Sequence, residues 1–132
     1  MALTVANILK TISDKKALAL FETIALAKPN TDILIAKTQL TRKQYYSRMS
    51  SLMKSGLVKR NNGRYTLTAF GKVIDDIQRT IKKVINEYYW KLKAIDSFEV
   101  ADGGLSKEEH NKVLDTLIDN EKIKKVILAN IS

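Results

Sequence analysis

Basic and hydrogen-bonding side chains dominate the middle third of this 132-residue chain, and no acid interrupts them. From Ile33 to Ile74 there are nine lysines and arginines but no aspartate or glutamate, whereas the other 14 cations are matched by 14 acids. The net charge of +9 is therefore confined to one contiguous segment. Because no carboxylate within that segment would repel phosphates, its composition favours binding to a polyanion.

The end of the basic segment reads KRNNGRY, at residues 59–65. An Asn-Gly pair between residues that favour strands predicts a tight β-hairpin turn. Cations clustered at a hairpin tip repel one another, so we expect them to bind phosphates rather than to stabilise the hairpin. The asparagines serve the turn first and offer hydrogen-bond donors second. The predicted contact residues here are Lys59, Arg60, Asn61, Asn62 and Arg64.

A helix is predicted immediately before this hairpin, from Thr41 to about Ser55. Thr41 is a candidate N-cap, and Gly56 suits the left-handed residue that ends many helices. On the core side of this helix we expect Tyr45, Met49, Leu52 and Met53, which recur at helical spacing.

The remaining elements follow from apolar spacing and from capping residues. We expect helices over residues 3–12, over 14–27 with Ser13 as the N-cap, and from Thr31 or Asp32 to Lys37. The runs LVKR and RYTL predict the two short strands. Thr68 is expected to cap a long helix from Ala69 to about Ile95. A capping box at Ser106 and Glu109 predicts a helix to about Ile118, and a last short helix follows.

This order of elements resembles the winged helix-turn-helix domain of small archaeal transcription regulators, near the ArsR and PadR types. The resemblance covers residues 13–95 and is carried by Arg48 with Leu52, SGLV at 55–58, NGRYTLT at 62–68, and Gly71. It implies a mainly α fold with a small β-hairpin, followed by a long helix and C-terminal helices. It also implies that the helix at about 41–55 enters the DNA major groove and that a wing at 57–67 lies on the flanking backbone or minor groove. The helix residues expected to meet DNA are Thr41, Arg42, Lys43, Gln44, Tyr46, Ser47, Arg48, Ser50 and Lys54.

The long helix carries an apolar series that suggests a coiled-coil-like homodimer seam. Ile74, Ile81, Tyr88 and Ile95 are spaced by seven residues. We therefore divide the chain into a DNA-binding domain at 1–72 and a dimerisation helix with a C-terminal helical segment at 73–132. Packing of this seam on the chain's own C-terminal helices is the alternative. The predicted dimer residues are Ile74, Ile77, Ile81, Val84, Ile85, Tyr88, Leu92 and Ile95.

Several classes of function find no support in the sequence. There is no cysteine, glycine-rich phosphate loop or set of residues with metal-ligand spacing, so we expect no metal, no cofactor and no enzymatic activity. The lone histidine, His110, lies beside Glu108 and Glu109 in a charged predicted helix and is expected to be ordinary exposed surface. No apolar run is long enough for a membrane span, and no secretion signal is apparent. We therefore expect a cytoplasmic, nucleoid-associated protein.

The sequence thus predicts a dimeric regulator of transcription that recognises specific double-stranded DNA. A winged-helix module that binds protein within a transcription assembly is one alternative. An architectural chromatin protein that ignores sequence is another. A small-molecule effector is left unknown, because no polar cluster marks a pocket between the long helix and residues 106–131.

Overall fold

A computed structural model describes residues 3–100 and 106–129. The expected fold class is confirmed, because the chain is mainly α-helical with one small antiparallel hairpin. It forms two compact units, divided between Arg79 and Thr80. In chain order the elements are α1 (Val5–Ile12), α2 (Lys15–Ala27), α3 (Thr31–Thr38), α4 (Arg42–Lys54), β1 (Val58–Asn61), β2 (Arg64–Leu67), α5 (Ala69–Lys83), a π-helical segment (Val84–Tyr88), α6 (Tyr89–Val100), α7 (Lys107–Leu117) and α8 (Glu121–Ala129).

The core of the first unit lies between α2, α3, α4 and the hairpin. Helix α4 places Tyr45 completely inside it, where the tyrosine hydroxyl lies 3.1 Å from the Thr31 hydroxyl. Burial raises the pKa of Tyr45 to about 12, so this hydroxyl stays protonated and available for the hydrogen bond. The other buried apolar residues of this core are Ile12, Leu20, Phe21, Ile24, Leu34, Leu40, Met49, Leu52, Leu57, Val58, Tyr65 and Leu67.

The hairpin has the predicted turn. Asn62 and Gly63 both have positive φ, 53° and 77°, as a two-residue turn of type I′ requires. The pairing places Arg60 opposite Tyr65, and the Tyr65 amide donates to the Pro29 carbonyl at 3.0 Å. That hydrogen bond fastens the hairpin to the segment between α2 and α3.

Gly71 is required where α5 passes over the residues that follow α4. A Cβ at this position would lie 2.0 Å from the Leu57 carbonyl oxygen, which belongs to the backbone and cannot easily move aside. Thr68 caps the helix as expected, because its hydroxyl accepts from the Gly71 amide at 2.9 Å. The Thr68 amide also donates to Leu57 at 3.1 Å, so the start of α5 is tied to the loop that ends α4.

The second unit has its own small core of Tyr88, Ile95, Leu114 and Ile118. The Tyr88 hydroxyl donates to the Asp119 carboxylate. Helical conformation continues from Ala69 to Val100, beyond the predicted end at Ile95, but it is π-helical over Val84–Tyr88. A π-helical turn contains an extra residue, so spacing by seven does not keep one face across it. Among the described residues, no helix is both long enough and apolar enough to cross a membrane.

Three local expectations are wrong. The N-cap of α2 is Asp14 rather than Ser13, because the Asp14 carboxylate accepts from the Lys16 amide. Met53 is 40% exposed and lies outside the core. His110 is buried rather than exposed, because α7 turns it to the same side as Leu114.

Candidate nucleic-acid interface

Helix α4 separates an apolar side from a basic, polar side. Tyr45 is fully buried, whereas the adjacent Tyr46 is 54% exposed. Met49 and Leu52 continue the buried side at helical spacing. The exposed side contains no acid, and its members among the predicted contact residues are Arg42, Lys43, Tyr46, Ser47, Ser50 and Lys54.

The start of α4 is held by a reciprocal capping box. The Gln44 amide donates to the Thr41 hydroxyl oxygen at 3.2 Å, and the Thr41 amide donates to Gln44 Oε1 at 3.1 Å. Lys16 Nζ also donates to Gln44 Oε1, at 3.5 Å. Thr41 and Gln44, both predicted DNA contacts, therefore cap the helix first. The Thr41 hydroxyl still carries a hydrogen that can be donated to a phosphate.

Arg48 is placed differently from the sequence-based expectation of a direct DNA contact. Its Nε donates to the Asp14 carboxylate at 2.5 Å, and its Nη1 donates to the Gln44 carbonyl at 3.4 Å. The hydrogen bond from Arg48 holds the pKa of Asp14 below its ordinary value, so the pair is charged at neutral pH. Arg48 thus joins the beginning of α2 to α4, and the exposed Arg42 and Lys43 are the stronger candidates for phosphates or bases.

The hairpin presents its cations on two faces. Lys59 pairs with Thr66 and Asn61 with Arg64, so these four side chains share one face of the ribbon. Arg60 lies on the other face, with its guanidinium carbon 5.9 Å from the centre of the Tyr65 ring. All three predicted cations and both turn asparagines are exposed. Arg60 is held by a cation–π contact.

The predicted dimer residues divide into two groups. Ile77, Ile81 and Ile85 are about half exposed or more, at 49%, 51% and 61%. The other five are buried or half-buried, and four of them pack on cores of this chain: Ile74 on the first, and Tyr88, Leu92 and Ile95 on the second. From Tyr88 to Ile95 the helix packs within its own chain, which was the alternative to a dimer seam. The apolar residues spaced by seven do not stay on one side of the helix, because the π-helical turn changes their register.

Two exposed residues of α5 were missed by the sequence analysis. Phe70 is 38% exposed and Val73 is 58% exposed. Together with Ile77 and Ile81 they recur at intervals of three or four residues on one side of α5. We call these four residues the apolar stripe. The apolar stripe would have been predicted if helical spacing had been followed from Phe70 instead of from Ile74.

Comparisons of the chain with protein-family models, with curated proteins and with solved structures gave no significant match. The functional assignment therefore rests on the chain's own residues and geometry.

Proposed function

We propose that this protein is a sequence-specific double-stranded DNA-binding regulator of transcription, of the winged helix-turn-helix type, that acts as a homodimer at the nucleoid. The single observation that carries the proposal is the division of α4. Tyr45, Met49 and Leu52 bury one side of the helix, and the opposite side is exposed, basic and free of acids. A helix with this division can be packed on a core and still enter a major groove.

In the proposed complex, the exposed side of α4 lies in the major groove. Arg42 and Lys43 are in the first turn, where the free amides at the start of the helix also favour a nearby phosphate. Tyr46, Ser47 and Ser50 follow on the same exposed side and supply hydrogen-bonding groups for base edges.

The hairpin would contact the flanking backbone. Lys59 and Arg64 extend from one face of the ribbon and Arg60 from the other. A ribbon with cations on both faces can reach phosphates on both sides of a groove. Because these contacts go to phosphates, they strengthen binding to any DNA sequence and position α4 for base contacts.

The proposed dimer would use the apolar stripe of α5. Phe70, Val73, Ile77 and Ile81 are large apolar side chains that water reaches in the single chain. Burial of such a stripe against a second copy is favourable by roughly 25 cal/mol per Å² of apolar surface. A two-fold dimer would place two copies of α4 about one helical turn of DNA apart, roughly 34 Å, on a palindromic site.

One observation favours the alternative of a protein-binding module. Tyr46 and Met53 are both exposed and lie seven residues apart, so they share one side of α4. Tyrosine and methionine are enriched in protein interfaces. The cations on the same surface favour DNA, and the experiment below separates the two.

The test is binding of a fluorescent genomic DNA fragment, measured by anisotropy at several salt concentrations. The Arg42→Ala/Lys43→Ala variant removes two charges from α4. The Lys122→Ala/Lys125→Ala variant removes two exposed charges from α8 and is the matched control. We expect the α4 variant to bind roughly 10- to 100-fold more weakly and its slope of log K against log salt to fall by about 1.8. Equal effects of the two variants, or no binding by the wild type, would contradict the proposal.

A further inference from the structure

A cavity of about 330 Å³ lies in the first unit between α2, the hairpin and α5. Four cations from three parts of the chain line it: Lys28 after α2, Lys59 on β1, and Lys72 and Arg79 on α5. Its volume is at the small end of the range of about 300–1,000 Å³ that is typical of small-molecule sites. The convergence of four positive side chains on one concave space indicates an anionic ligand.

Lys28 reaches this cavity from an unusual backbone position. It is the C-cap of α2 and has φ 46°, in the left-handed region where glycine is favoured. A lysine there is conformationally less favourable than glycine and supplies a cation that glycine would lack.

The one acid in the cavity wall is already neutralised. Asp75 is buried, and its carboxylate accepts from Arg79 at 2.6 Å and from Gln78 Nε2 at 3.0 Å. Three lysines then remain without a carboxylate of the cavity wall to balance them. The cavity consequently has an excess of three positive charges, which suits a ligand with two or three negative charges.

Thr66 supplies an independent sign of a missing hydrogen-bond partner. Thr66 is one of the residues that line the cavity, and its hydroxyl oxygen, which water does not reach, is the one buried side-chain polar atom without a hydrogen bond among the described residues. Buried hydroxyls normally find a partner, because leaving one unsatisfied is unfavourable. Rotation of the Thr66 side chain about χ1 would turn the hydroxyl into the cavity, where a phosphate oxygen would accept this hydrogen bond.

We propose that the cavity binds a small phosphate-bearing metabolite, with its phosphate groups among the lysines. Lysine binds phosphate as a point charge without a fixed hydrogen-bonding fork, which suits side chains that arrive from three elements. Ile24 and Leu67 also line the cavity and provide an apolar surface for the organic part of the ligand. The cavity is defined without reference to DNA, but it shares Lys59 with the hairpin face proposed to contact DNA, so the test uses Lys72, which is not among the proposed DNA contacts.

The test uses inorganic pyrophosphate as the probe and the full chain at low ionic strength. Titration calorimetry is expected to show one site per chain, and Lys72→Gln is expected to weaken it roughly tenfold by removing a charge-assisted contact. Lys37→Gln is the matched control, because Lys37 is exposed on α3 and is not part of the cavity wall. It should bind pyrophosphate as the wild type does.

Thr66→Val gives a second readout that does not depend on charge. Valine has nearly the same shape as threonine and needs no hydrogen-bond partner, so the melting temperature of the unliganded variant should equal or exceed that of the wild type. Its increase in melting temperature with pyrophosphate should be smaller. Absence of binding at millimolar pyrophosphate, equal losses in Lys72→Gln and Lys37→Gln, or equally tight binding of citrate would overturn the proposal.

Discussion

Tyr45 and Tyr46 are neighbours in sequence, but the structure predicts opposite consequences for their replacement. Tyr45 is 0% exposed and its hydroxyl is paired with Thr31, whereas Tyr46 is 54% exposed. The two rings meet edge to face at a centroid distance of 5.1 Å. Replacing each by alanine therefore tests which side of α4 faces the core and which side is available to a partner.

The expected magnitudes differ clearly. Tyr45→Ala removes a fully buried aromatic side chain, which costs about 3–5 kcal/mol of the free energy of unfolding. Tyr45→Phe keeps the ring and loses the hydrogen bond to Thr31, at a cost of about 1 kcal/mol. Tyr46→Ala loses part of one aromatic contact, so it should lower the free energy of unfolding by at most about 1 kcal/mol. Since domains are stable by only about 5–15 kcal/mol, the first change is severe and the third is minor.

Urea unfolding followed by circular dichroism measures the stabilities, and anisotropy with duplex DNA measures binding. We expect Tyr46→Ala to unfold near the wild-type urea midpoint but to bind DNA more weakly. Tyr45→Phe should bind DNA as the wild type does while unfolding at a slightly lower midpoint. If Tyr46→Ala lost more stability than Tyr45→Ala, or bound DNA unchanged, the assignment of the two sides of α4 would be refuted.

Three further predictions concern α5 and the second unit. Gly71→Ala should lower the free energy of unfolding by about 3 kcal/mol or more, because the clash of the new Cβ with the Leu57 carbonyl outweighs the gain of about 1 kcal/mol in helix propensity. A urea midpoint at or above that of the wild type would contradict this prediction. Ile81→Asp should raise the dissociation constant of the proposed dimer roughly 30- to 150-fold, because the half of each isoleucine that is exposed in the single chain would lose its apolar burial in both subunits; sedimentation showing an unchanged dimer would move the proposed interface elsewhere. The hydrogen bond to Asp119 raises the pKa of Tyr88 from 10.0 to about 12 and lowers the pKa of Asp119. The stability advantage over Tyr88→Phe should therefore be constant from about pH 5 to pH 10, should decline between pH 10 and 12 as Tyr88 ionises, and should also decline in acid as Asp119 is protonated; a pH-independent difference in chemical denaturation would exclude this coupling.

The features that sequence reasoning predicted correctly are those that depend on nearby residues. The turn at Asn62 and Gly63 needs two residues that tolerate positive φ, and the sequence supplies both. The capping box at Ser106 and Glu109 involves only residues three apart, and it is present. Alternation along α4 also distinguished the buried Tyr45 from the exposed Tyr46, because helical spacing alone decides between neighbours.

The features that were missed depend on contacts distant in sequence or on a change of helix period. The ion pair of Arg48 with Asp14 joins residues 34 positions apart, and no local pattern shows it. The π-helical turn shifts the side chains that follow it, so spacing by seven wrongly suggested that Tyr88 and Ile95 belong to the same seam as Ile81. Glycine is likewise necessary at position 71 because the backbone of Leu57 leaves no room for a Cβ, and Leu57 is distant from Gly71 in sequence.

Recovery of genomic DNA from the source organism tests the central claim most directly. The purified protein is mixed with sheared genomic DNA at about 0.15 M salt, where non-specific electrostatic binding is weak, and the retained fragments are sequenced. The account predicts enrichment of a few promoter fragments that share an inverted repeat, with half-sites about one helical turn apart. Uniform recovery of all fragments, or recovery of none, would contradict a dimeric, sequence-specific regulator.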